Sequence, residues 1–61
     1  MTNWQFEIDQ AMSGKGDWFT SRLLRLISRA DPGNIAKIRL GFPEEVAAWE
    51  RWQASPDGKF E

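Results

Sequence analysis

The side chains that most often carry out chemistry are scarce in this chain. Its 61 residues contain no His, Cys or Tyr, which removes the usual general bases and reactive nucleophiles. Carboxylates remain, and Glu7/Asp9 and Glu44/Glu45 are close pairs of the kind acid–base catalysis would need. Both have simpler explanations. The first lies on the polar side of an amphipathic helix, and the second falls in a helical first turn, where the macrodipole favours anions. Without Cys or His, a transition-metal site would have carboxylates alone, and no D-x-D-x-D-G calcium loop occurs. The reading is a protein that is not an enzyme, with no catalytic residue, no metal site and no cofactor.

The cations and indoles offer more. Arg22, Arg25 and Arg29 recur at i, i+3 and i+7, one side of a helix, and Lys37 and Arg39 follow beyond a corner. Residues 18–42 carry these five bases against Asp31 alone, a net +4, whereas residues 1–17 sum to −2 and residues 43–61 to −3. Such a basic middle either pairs internally or faces a partner. Four tryptophans are hard to enclose in so small a domain. Trp49 belongs to the core, whereas Trp18 and Trp52 are candidates for an exposed patch, because Trp and Arg are enriched where partners bind tightly. The candidate partner-binding residues are therefore Trp18, Arg22, Arg25, Arg29, Lys37, Arg39 and Trp52. The competing reading is a solvated face paired with Glu44, Glu45 or Glu50, each exposed pair worth no more than about 1 kcal/mol. Trp18 and Trp52 would then roof the core or form a self-association surface.

These side chains must be positioned by helices. Phe19, Leu23, Leu26, Ile27 and Ala30 share one helical face within residues 17–30, with Asp17 as the expected N-cap. Upstream, Thr2 and Gln5 form a capping box for a short helix over residues 3–12, with Trp4, Ile8, Ala11 and Met12 as its stripe. Phe6 lies off that stripe. Ser13-Gly14-Lys15-Gly16 breaks the chain as a C-cap and turn; the Walker spacing is absent and no strand precedes it, so it reads as a connector and not a phosphate loop. Asp31-Pro32 closes the central helix and caps the next. Gly41 stands where a C′ glycine belongs, and Pro43 opens another helix. The expected core is Phe19, Leu23, Leu26, Ile27, Ile35, Ile38, Phe42, Val46 and Trp49.

The fold class predicted is all-α: a small three-helix domain with tight Pro-containing corners, preceded by a short N-terminal helix. One domain spans residues 1–61, with its helical core at 17–54 and a frayed tail at 55–61. A chain this short buries only about 60% of its unfolded surface. With no disulfide available, its four Trp and four Phe are the expected staple, along with self-association as a homo-oligomer. No apolar run approaches a membrane span and no signal-peptide pattern opens the chain, so the expectation is a cytoplasmic protein with no membrane partner.

The segments FTSRLLRLI, RADPGN, IRLGFPEEV and WERW together resemble a group of small uncharacterised phage and prophage proteins with the pattern FTxxLLxLI…AD…N…FPxxV…WxxW. The resemblance runs from Phe19 to Trp52 and leaves residues 1–16 as a variable segment. It implies a phage-related accessory protein acting in the host cytoplasm, without assigning any residue a role. The leading expectation is a non-enzymatic protein that binds and modulates a host macromolecule, such as a defence or regulatory protein. Two alternatives stand beside it. One is a small oligomer that binds a nucleotide or other anionic ligand through the Arg row. The other is a helix-turn-helix-like DNA-binding protein with residues 35–40 as the recognition element, which the negative overall charge disfavours.

Overall fold

Local backbone chemistry sets four helices: α1 (Trp4–Met12), α2 (Phe19–Arg29), α3 (Pro32–Gly41) and α4 (Pro43–Ala54). The structure, a computed structural model, describes residues 2–59, and no strand occurs among them. The protein is all-α, with the Pro-containing corners where the sequence puts them.

The caps explain the helix ends, and three differ from expectation. Asn3, not Thr2, caps α1, its Oδ1 accepting from Phe6 N–H at 3.0 Å. Asn is at least as good a cap as Thr and stands one residue nearer. Gln5 instead donates to Asp9 Oδ1 at 3.0 Å and to the Gly58 carbonyl at 2.9 Å. After α1 the chain makes a Schellman turn, with Gly14 N–H donating to Ala11 O at 3.1 Å and Lys15 N–H to Gln10 O at 2.9 Å. Asp17 does not cap α2. Trp18 takes the N-cap position in extended backbone with no side-chain cap bond, because its ring is held between Gly16 and Phe6. Asp31 caps α3 as expected, accepting from Asn34 N–H at 2.7 Å, with Pro32 behind it in the first turn. Gly41 is the last residue of α3 and not its C′; Phe42 ends α3 and begins α4.

The core is built by α1, α2 and α4. Ile8 and Ala11 meet Leu23, Leu24, Ile27 and Val46, with Trp4, Met12, Ile35, Ile38, Trp49 and Trp52 packed against this cluster. The helix read as a short N-terminal addition is thus central, whereas α3 packs against α4 and has no buried residue. The expected core is corrected accordingly. Leu23, Ile27 and Val46 are buried, and Ile35, Ile38 and Trp49 are half-buried. Phe19, Leu26 and Phe42 are exposed. The buried arc of α2 is centred about a quarter-turn from the expected stripe, at 100° per residue, because α1 covers the Ser21/Leu24 side while α3 leaves the Phe19/Leu26 side open.

The tail is folded back as far as residue 59. Ser55 Oγ donates to Lys59 O at 2.8 Å, Gly58 lies against the Trp52 indole, and Gln5 reaches across from α1. Phe60 and Glu61, where fraying was also expected, lie outside the described residues.

Candidate functional site

The seven candidate residues do not form one surface. Arg25 is half-buried and turned onto the α1–α2 loop: Nη1 donates to Lys15 O at 3.0 Å and to Ser21 Oγ at 3.0 Å, and Nη2 donates to Gly16 O at 2.8 Å. Ser21 is fully buried, and its hydroxyl donates to the same Lys15 carbonyl at 2.9 Å. Arg22 adds Nε to Asp17 O at 2.9 Å. Two members of the cationic row therefore brace the loop that carries Trp18. Charge-assisted bonds to backbone carbonyls are stronger than neutral ones, and they fix a segment that has no regular hydrogen-bond ladder of its own.

Trp18 stacks on Phe6 with ring centroids 6.2 Å apart and planes 2° from parallel, and its Nε1–H donates to Glu7 Oε1 at 2.8 Å. Phe6, off the α1 stripe, thus finds its partner across the loop. Trp52 is half-buried against the core and under Gly58, which leaves little of its face for a partner.

Arg39 is tied to α4 by a two-pronged pair, Nη1 to Glu50 Oε1 at 3.1 Å and Nη2 to Oε2 at 2.7 Å. The hydrogen bond from Arg39 holds the Glu50 carboxyl below its ordinary 4.5; desolvation opposes this and the Arg39 charge adds to it. A folded-state value below the unfolded one means that the contribution is complete above the unfolded pKa and is lost as pH falls through the folded value. Urea midpoints of the wild type and Glu50→Gln are therefore expected to differ by a constant amount at pH values above the unfolded carboxylate range and to converge as pH falls through the lowered folded value. The difference itself should be small, since both groups are exposed.

Arg29 and Lys37 remain. Neither makes a hydrogen bond or ion pair among the described residues, and both line one cleft of about 470 Å³ in the crook of α2 and α3. Leu26, Ala30 and Ile38 supply its apolar lining, and Asn34 and Asp31 complete it. Asp31 is committed to the cap of α3, where Oδ1 accepts from Asn34 N–H at 2.7 Å and Oδ2 from Asn34 Nδ2 at 3.3 Å. The chain matches no family model, no curated protein and no solved structure.

That cleft belongs to a longer open flank. Phe19 is 65% exposed and Leu26 is 58% exposed, two turns apart on the uncovered side of α2. Phe19 meets Phe42 at 5.7 Å between ring centroids. The flank is apolar along its length and cationic at the corner. It can receive a ligand that is part apolar and part anionic. Sequence reasoning missed this because it assigned Phe19 and Leu26 to the interior. The sign available was the width of the apolar arc on α2, where Phe19, Leu23, Leu24, Leu26 and Ile27 exceed what one neighbouring face must cover. No described helix is long and apolar enough to cross a membrane.

Proposed function

We propose that this protein is a non-enzymatic accessory factor of the phage type, which binds and modulates a host protein in a defence or regulatory system through the α2–α3 flank. One observation carries the reading: Leu26 stands in solvent beside Arg29 and Lys37, which have no partner among the described residues, and exposed Phe19 extends the apolar flank two turns along α2; apolar patches next to cations mark places where partners dock. The resemblance of residues 19–52 to phage and prophage proteins supports the biological setting. The DNA-binding alternative has less support, because Arg39 on the expected recognition element is paired with Glu50. The Arg row also gives less basis for an anionic ligand, since Arg25 and the Nε of Arg22 are turned to loop carbonyls.

The test is affinity capture of the tagged chain from host lysate, run in parallel with Leu26→Asp and Arg29→Glu. A host protein retained by the wild type and lost from both variants is the expected result. Retention of the same protein by all three would remove the flank from the reading, and specific capture of nothing would overturn it.

A further inference from the structure

We infer that the cleft between α2 and α3 receives an acidic segment of a partner protein, which inserts one bulky apolar side chain between Leu26 and Ile38 and sets its carboxylates on Arg29 and Lys37. This rests on the reading of the chain as a protein-binding factor and names the chemistry of the partner. At about 470 Å³ the cleft falls in the size range that holds a ligand-sized group, enough for a large side chain but short of a folded element. Leu26, Ala30 and Ile38 give it an apolar part, so a ligand that is only an anion would leave Leu26 and Ile38 unused. The cations decide the sign. Arg29 and Lys37 have no partner among the described residues, and the one acid in the cleft, Asp31, already serves Asn34 with both oxygens.

A second copy of the chain fits this cleft poorly. A two-fold pairing whose axis runs through the cleft sets Arg29 and Lys37 near their own copies, and that like-charge juxtaposition disfavours it. A nucleic acid fits no better. Affinity for it comes chiefly from phosphate contacts by a strongly basic face, whereas this chain has a net charge of −1 and a cleft whose two cations stand beside Leu26, Ala30, Ile38 and an acid, Asp31.

The experiment pans a displayed library of random dodecapeptides on the full chain, then measures fluorescein-labelled versions of the enriched peptides by anisotropy. The enriched peptides are expected to combine two or more Asp or Glu with a Trp, Phe or Leu. Arg29→Glu/Lys37→Glu should weaken them about tenfold or more, in line with the cost of reversing charges in a contact, and Leu26→Ala should weaken them measurably. Arg29 lies in the last turn of α2, where an acid also opposes the macrodipole. Arg29→Gln/Lys37→Gln therefore repeats the measurement without reversing charge, and circular dichroism verifies both folds. Three results would each overturn the inference: no enrichment, enriched peptides held equally well by both double variants, or a dimer in sedimentation that Leu26→Ala dissolves. None of them decides whether the chain binds a host protein at all, which the lysate capture settles separately.

Discussion

Leu24→Ala is expected to remove between about a fifth and all of the stability of this fold. Leu24 is 0% exposed and sits among Ile8, Ala11, Ile27 and Val46, the meeting point of α1, α2 and α4. Truncating a buried Leu costs about 2–5 kcal/mol, the transfer of the lost methyls plus the cavity left behind. At roughly 0.05–0.15 kcal/mol per residue, a domain of 61 residues has about 3–9 kcal/mol in total. Each kcal/mol shifts the melting temperature of so small a domain by about 4–8 °C, so a fall of about 10 °C or more is expected in a melt followed by circular dichroism. Leu26→Ala is the matched control. With its side chain 58% exposed, it should change stability by no more than about 0.5 kcal/mol. If Leu26→Ala proved the costlier of the two, the phase of α2 described above would be wrong and the open flank with it.

That pair of leucines also marks where the sequence stops being informative. Corners and caps are local, so Asp31-Pro32, Pro43 and the Ser13–Gly14 turn are legible from a handful of residues, and all act as expected. The phase of α2 is not local. Phe19, Leu23, Leu24, Leu26 and Ile27 cover an arc of about 160°, at 100° per residue, and periodicity says that the arc is apolar without saying which half a neighbour will cover. That depends on α1 packing against α2 and on α3 turning towards α4. Arg25 shows a second limit. Its partners are the carbonyls of Lys15 and Gly16 and the hydroxyl of Ser21, and a backbone acceptor has no residue type by which to recognise it. The Arg39–Glu50 pair involves two side chains, and there the sequence did offer Glu50 as a partner. Of the cationic residues, Arg29 and Lys37 both line the cleft although they stand on different helices, so the path of the α2–α3 corner, which the sequence does not specify, brings them to one place.

Gly16→Ala is expected to destabilise the protein by about 2–5 kcal/mol, the left-handed conformation costing about 1–2 and the crowding about 1–3. Gly16 has φ +79°, and a Cβ there would lie 2.6 Å from Trp18 Cζ3, 2.7 Å from Trp18 Cη2 and 2.9 Å from Ser21 Oγ. Gly14 separates the two effects. Its φ is +78° with nothing within 4 Å of a Cβ, so Gly14→Ala should cost only the conformational part, about 1–2 kcal/mol. The excess at Gly16 measures how firmly the loop is closed. To make room, either Trp18 must leave its stack on Phe6 and its bond to Glu7, or the loop must rise from Ser21 and leave a buried hydroxyl without the Lys15 carbonyl. Urea unfolding of the two variants supplies the comparison, and equal losses would show that the loop yields without cost. Coupling gives the sharper result. Arg25 binds the carbonyl of Gly16 itself, so Arg25→Ala and Gly16→Ala should fall short of additivity, as changes within one hydrogen-bonded unit do. Strict additivity would mean that the guanidinium and the glycine act independently.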